Sequence, residues 1–244
     1  MMELWQYGAA AAVMMLAYFV RGIVGFGSGL ISVPLLALFL PLTFVVPLVL
    51  LLDFTTSLIL GGLDFKRVQL KEVGLLIPFS IVGVILGTQL LMNLPVTPML
   101  LTLAVFVFIF AVRNLLNIGG HKPVSAWWSV PAALTGGTIG GLFGTGAPPY
   151  VIYLNHRIQD KSLLRATFSA LFFLEGMIRI VTFSFAGLLL DSAIWWSALT
   201  ALPVVFSALW LGGHVHTGLS HAQITRLIGI LLLLASLSLT VKAL

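Results

Sequence analysis

Two short runs join dense glycine to a following proline: Gly22-Ile-Val-Gly25-Phe26-Gly27-Ser28-Gly29-Leu-Ile-Ser32-Val-Pro34, and Gly136-Gly137-Thr-Ile-Gly140-Gly141-Leu-Phe143-Gly144-Thr145-Gly146-Ala147-Pro148-Pro149. Glycine lets the backbone leave helical geometry, and proline suits the first turn of a new helix. A helix is therefore expected to restart after each run, its free N–H groups and positive dipole end facing the break. That chemistry makes an anion site without a fixed cation, and Ser28 and Thr145 add hydroxyl donors. The candidate substrate-binding residues are Gly25, Phe26, Gly27, Ser28 and Gly29 at the first break and Phe143, Gly144, Thr145, Gly146 and Pro148 at the second. Close packing by small residues is the competing reading, and it is preferred at Gly83-x-x-x-Gly87, which also points to a homodimer. At the breaks, proline after glycine implies non-helical backbone, tolerated at membrane depth only where it is buried or lines a cavity. A potassium-filter reading of Gly-Phe-Gly is weaker, since two unlike copies make no fourfold ring.

Charged side chains within apolar stretches come next. Asp53, Glu175 and Arg179 are each costly there unless paired or hydrated. Glu175 and Arg179 are spaced i, i+4 on one helix face, which allows either a mutual salt bridge or a part in anion binding and coupling. Asp53 has no sequence-adjacent cation; uptake of a proton and pairing with Arg21 or Arg179 are both open to it. Arg21, beside the first break, is read as snorkelling to the interface ahead of ligating an anion, and topology alone explains Arg165. His214, His216 and His221 lack carboxylate support, so a solvated cluster is expected, with neither metal nor other cofactor. There is no cysteine, no His-Glu-x-x-His, no Gly-x-Ser-x-Gly and no facing aspartate pair, so no enzyme is expected.

The elements that must position these residues follow from composition. Of 244 residues, 60% are hydrophobic and 8% charged, with a mean hydropathy of +1.15, outside the range of soluble domains. Hydrophobic segments run from Leu4 to Val20, Leu30 to Leu42, Phe44 to Leu60, Val73 to Met92, Met99 to Leu116, Trp127 to Tyr153, Ala166 to Leu190, Ala193 to Leu211 and Ile224 to Val241. Many approach the ~20 residues that span a bilayer, and none alternates like a barrel strand. The fold class is an all-α integral membrane protein, multi-pass, with the lipid bilayer as its main partner. The net charge of +5 is dispersed and reports topology, not nucleic-acid binding.

Two halves match in order, residues 1–118 and 119–244. Phe26-Gly27-Ser28-Gly29 recurs as Phe143-Gly144-Thr145-Gly146, and Pro78 with Leu86-Gly87 recurs as Pro203 with Leu211-Gly212. Lys66, Arg67 and Lys71 fill the loop from Asp64 to Glu72, whose counterpart near Asp191 has no base; Arg157, Lys161 and Arg165 fill a loop whose counterpart around residues 37–46 is uncharged. Under the positive-inside rule, equivalent loops then lie on opposite faces, the signature of an inverted repeat of two four-to-five-segment halves. Both basic loops are cytoplasmic only if one of the three segments between Val73 and Tyr153 turns back. The glycine-broken stretch from Trp127 to Tyr153 is the expected re-entrant or hairpin segment, with a counterpart at the first break and both termini outside.

The paired glycine motifs, the Gly-Phe-Gly-Ser-Gly-Leu-Ile-Ser-Val-Pro run, the Gly-Thr-Gly-Ala-Pro-Pro run and Arg165-Ala166-Thr167 together resemble the TauE/SafE sulfite exporter family over essentially the whole chain. Ala147 and Pro148 stand where that family often shows further glycine. The resemblance implies a bacterial inner-membrane exporter of sulfite, organosulfonates or related small anions, with substrate near the two glycine motifs, where two helix N-termini would face one anion. A secondary transporter working by alternating access is the expected function. Alternatives are a passive anion channel, a carrier of another small solute, or an assembly subunit without flux.

Overall fold

The computed structural model describes residues 4–25, 27–60, 67–116, 124–214 and 221–243. Phe26, Lys66 and His216 lie outside the described residues, as do the side chains of Lys161 and His221. The described residues form α1 (Leu4–Val24), α2 (Ser28–Leu36), α3 (Leu42–Leu60), α4 (Leu70–Asn93), α5 (Val96–Leu115), a 3-10 turn (Ala126–Trp128), α6 (Ser129–Phe143), α7 (Ala147–Arg157), α8 (Lys161–Phe185), α9 (Ser192–His214) and α10 (His221–Ala243), with no strand among them.

The all-α membrane architecture expected from composition is what forms. Five helices, α4, α5, α8, α9 and α10, are long and apolar enough to cross a membrane. Their outward faces are apolar as well. Leu227, Ile230, Leu234 and Leu237 recur along one side of α10 and are exposed, as are Ile81, Val82, Ile85 and Leu86 on α4, surfaces that suit lipid and not water. All six tryptophans are exposed and fall within five residues of a helix end or in the 3-10 turn, the level at which indoles anchor to the interface. Prolines 34, 47, 78 and 203 lie inside α2, α3, α4 and α9.

Two compact units emerge, and each draws on both halves of the sequence: residues 1–45, 94–119 and 196–244 form unit 1, and residues 46–93 and 120–195 form unit 2. In unit 1, α10 packs on α5 and α2. Gly229 of α10 lies against Ala111 and Leu115, Ser236 Oγ donates to the Ala104 carbonyl at 2.9 Å, and Lys242 Nζ donates to the Ala37 carbonyl at 2.8 Å just past the end of α2.

In unit 2 the closest pairing is α4 with α6. Gly137 faces Ser80 and Gly141 faces Val84, with Gly83 and Gly87 meeting the α6 backbone at Leu134, Thr138 and Leu142. Contact positions rise together along both helices, so α4 and α6 run parallel. The Gly83-x-x-x-Gly87 stripe is thus a packing device, as preferred above, but α6 of the same chain covers it, and it no longer points to a homodimer. The core of this unit is Leu76, Ala133, Tyr150, Tyr153, Leu154, Ile158 and Leu171.

Unit 1 repeats this contact pattern. Gly22 of α1 meets Leu209 O at 2.6 Å, Gly212 Cα and Gly213 N, while Gly141 of α6 meets Val84 O at 2.5 Å, Thr88 N and Gly87; Gly212 in turn abuts Phe19 O as Gly87 abuts Thr138 O. The distances are those of a β-carbon built on each glycine, so no larger residue fits without displacing backbone. Equivalent positions are 119 residues apart in α1 and α6 and 125 apart in α4 and α9.

Candidate functional site

At the first break α1 stops at Val24 because Gly25 takes φ +91° and closes the last turn, its N–H donating to the Arg21 carbonyl at 2.6 Å. Gly27, at φ 96° and ψ 6°, leads directly into α2. A β-carbon at Gly25 or Gly27 would meet nothing within 4 Å; these two glycines answer a left-handed backbone and not a shortage of room. Beyond the break Ser28, Gly29 and Leu30 form the first turn of α2, whose N–H groups have no acceptor within the helix because the first intrahelical bond ends on the N-cap carbonyl of Gly27. Ser28 and Gly29 are buried, Ser32 Oγ donates to the Ser28 carbonyl at 2.9 Å, and Arg21 Nη1 reaches across the break to Ser28 Oγ at 3.3 Å. Arg21 also lies 5.8 Å from the Tyr18 ring centroid. It therefore shares the break with Ser28.

Proline does not open this helix. Pro34 is the seventh residue of α2, well past its first turn, which corrects the expectation drawn from its position after the glycines.

The second break is built differently. Gly144, φ 68° and ψ 4°, closes α6 with its N–H on the Gly140 carbonyl at 2.9 Å. Gly146 has ordinary helical angles, φ −68° and ψ −6°, yet a β-carbon there would collide with the Gly136 carbonyl oxygen. Likewise a β-carbon at Gly136 would lie 2.7 Å from the Tyr150 ring. α7 therefore doubles back along α6, residue 146 beside 140 and 136, and Tyr150 beside 136. Tyr150 Oη donates to Ser80 Oγ at 2.8 Å. Pro148 and Pro149 are the second and third residues of α7, so two of its first four N–H donors are absent.

Register follows from these geometries. Gly25 corresponds to Gly144, Gly27 to Gly146 and Ser28 to Ala147, each 119 residues apart, in step with Gly22 and Gly141. The identity match of Phe26-Gly27-Ser28-Gly29 with Phe143-Gly144-Thr145-Gly146 is two residues out. Phe143 is the last residue of α6 and buried, and Thr145 lies in the turn between α6 and α7.

Polar side chains from α8 complete the second break. Arg179 Nη1 donates to Gly144 O at 3.2 Å and to Gly140 O at 3.4 Å. Glu175 Oε1 occupies the place a Gly140 β-carbon would take and lies 2.9 Å from the corresponding point at Gly146. The i, i+4 pair does not close into a mutual salt bridge; Arg179 is spent on the carbonyls of the break. Three buried atoms here, Thr145 Oγ1, Glu175 Oε1 and Arg179 Nε, have no hydrogen-bond partner, and their residues are 4%, 1% and 8% exposed. Their concentration on residues 140–146 is the feature that marks a site, since buried polar groups are otherwise satisfied. On α3, Asp53 is half-buried, and its neighbour Phe54 stacks on Phe173 at 5.5 Å and packs against Gly176.

One cluster was not foreseen. Glu72, in the first turn of α4, accepts from Arg157 Nη2 at 2.7 Å and Nε at 3.0 Å and from Tyr153 Oη at 2.6 Å, while Arg157 Nη1 donates to Val124 O at 3.1 Å. Beside it Arg67 Nη1 donates to Ser162 Oγ at 2.7 Å and Gln69 N donates to Thr167 Oγ1 at 3.0 Å. The chain around residues 67–72 and the chain around residues 157–167 therefore meet at one end of unit 2. The charge alternation in these loops hinted at a shared face, but 85 residues separate Glu72 from Arg157, and no local pattern pairs them. His214 is exposed at the end of α9 and folds back along it, with Nδ1 2.8 Å from Trp210 O and its ring 4.6 Å from that indole. Among the described residues no three His, Asp or Glu side chains converge to hold a metal ion.

A family model described as "Sulfite exporter TauE/SafE" matches residues 10–239. The chain is also 26% identical over 196 residues to the "Probable inner membrane transporter protein TsaS" of Comamonas testosteroni, covering 79% of this chain and 81% of the relative. No solved structure matches.

Proposed function

The chain belongs to the TauE/SafE sulfite exporter family, and from that premise we propose that it is a secondary transporter of the bacterial inner membrane exporting small anions such as sulfite or organosulfonates. The observation that carries this reading is the trio of unpartnered buried polar atoms, Thr145 Oγ1, Glu175 Oε1 and Arg179 Nε. In a lipid-facing bundle such atoms are kept where solute or protons are handled. At the first break the donors are the N–H groups of the first turn of α2, Ser28 to Leu30, the Ser28 hydroxyl and Arg21. At the second they are chiefly side chains, Arg179 and Thr145, because Pro148 and Pro149 remove backbone donors.

The two halves of the sequence are read as an inverted repeat. α6 has 15 residues and α7 has 11, about 22 and 16 Å long at ~1.5 Å per residue, short of a ~30 Å hydrocarbon core. We take α6–α7 as a re-entrant hairpin, and α1–α2 as its counterpart. Transport proceeds by alternating access. Outward movement of an anion is favoured by about 2.3 kcal/mol per charge per 100 mV, negative inside.

Uptake of labelled sulfite, sulfoacetate, taurine and thiosulfate into proteoliposomes tests the proposal: saturable flux of at least one is expected, and no flux of any would overturn it. Replacing Gly27 or Gly144 by Phe is expected to abolish that flux; unchanged flux would reduce the breaks to packing devices. A channel would instead give single-channel currents.

A further inference from the structure

Resting on that transport reading, we propose that Glu175 carries the coupled proton: its carboxyl lies between Gly140 and Gly146 when neutral and moves to the Arg179 guanidinium when ionised. Three features converge on it. Glu175 Oε1 is buried and has no hydrogen-bond partner. What faces it is backbone of two glycines, since it fills the place of a Gly140 β-carbon and nearly touches that of Gly146. No donor reaches Oε1 there, an environment that holds a neutral carboxyl and penalises a charged one heavily.

A receiving charge stands one helical turn away. Arg179 has Nε unpartnered, while its Nη1 is held by the Gly140 and Gly144 carbonyls. If the ionised carboxylate engages this guanidinium, it competes with those carbonyls for Arg179. Gain or loss of one proton at α8 is thereby read out at the turn between α6 and α7. The chemistry is limited to one O–H bond: water on one side of the membrane supplies the proton and water on the other takes it up.

Most other titratable groups along the packed elements are engaged elsewhere. α6 has no titratable side chain. From α7, Tyr150 is bound to Ser80 and Tyr153 to Glu72. On α4, Glu72 is held by Arg157 and Lys71 lies beside it in the first turn. Asp53 is the acid of α3, placed next to Phe54, which packs on Gly176. The glycines themselves also find a reason here: at position 140 the obstacle to a β-carbon is the Glu175 carboxyl, the far end of a flexible side chain, and not backbone as at 83, 87 and 141.

The test uses the full chain in vesicles holding a pH-sensitive dye, with flux driven by a gradient of thiosulfate or sulfoacetate, whose oxygens take up no proton near neutral pH. Wild-type flux is expected to move protons with the anion. Glu175→Gln lowers the protons moved per anion by about tenfold or more, the scale of a coupling interaction, whatever its absolute rate. Gly140→Ala, which pushes the carboxyl out of its cradle without meeting backbone, lowers the same ratio and serves if the glutamine variant does not insert. Should sulfite alone be carried, the wild-type-to-variant ratio is read on sulfite. A variant ratio equal to wild type, or wild-type flux without protons, overturns the inference alone; absence of flux for every anion overturns the transport reading instead.

Discussion

The two breaks occupy corresponding positions in their units yet meet the same geometric demand by different means. At the first, Gly25 and Gly27 adopt left-handed angles in open space, and the next helix keeps every N–H group of its first turn. At the second, left-handed angles are needed at Gly144 only; Gly146 is dictated by contact with Gly136, and prolines replace half of the N–H donors. Charge differs too. Arg21 comes from the helix that enters the first break, whereas Arg179 and Glu175 come from a separate helix, α8. Positions with matching backbone contacts need not keep matching chemistry: backbone donors suit an anion, and a carboxyl beside a guanidinium suits a proton.

Several substitutions sharpen or break this contrast. The hairpin of unit 2 is clamped at its base by buried Glu72 and part-buried Arg157, and removing the guanidinium leaves a buried carboxylate without its charge partner. Arg157→Leu is expected to lower the melting temperature in detergent more than any change at the first break, and an equal or smaller effect would deny the clamp its role. Next, Gly146→Ala forces backbone against backbone and is expected to cost roughly 1–3 kcal/mol or more, while Gly27→Ala pays only for its left-handed angle, about 1–2 kcal/mol. Asparagine, which tolerates that angle, should rescue position 27 and not position 146; rescue at both would erase the distinction.

In unit 1 the end of α2 is held by Lys242, so Lys242→Met is expected to cost about 1 kcal/mol in the same thermal assay, and no change would show α2 to be held otherwise. The smallest effect is expected at Asp160, an exposed cap whose carboxyl lies below the usual carboxylate range because the N–H groups of Leu163 and then Ser162 bind it. A carboxyl lowered on folding stabilises above its unfolded value and loses that contribution as pH falls through its folded value. Melting temperature should therefore decline at acid pH, and Asp160→Ala should remove that part of the decline.

Much of this was legible beforehand. Apolar runs located the long helices, and Gly144 to Pro149 located the boundary between α6 and α7. Loop charges anticipated that residues near Arg67 and near Arg157 share an end. What escaped was set by contacts rather than composition. A four-residue identity suggested a register that the Gly22 and Gly141 packing displaces by two residues. Pro34 looked like a helix start because its distance from Gly27 fits no local rule that a glycine cap must obey. The i, i+4 spacing of Glu175 and Arg179 could not reveal that carbonyls at the end of α6 would draw the guanidinium away, and Glu72 carried no sign of a partner 85 residues distant.

Counterflow tests the central claim of carrier-mediated anion transport most directly. Vesicles containing the protein and loaded with unlabelled sulfite are placed in a trace of labelled sulfite. Transient accumulation of label above equilibrium, abolished by Gly27→Phe and by Gly144→Phe, is the predicted result. Label that only equilibrates, or counterflow untouched by both substitutions, would contradict it.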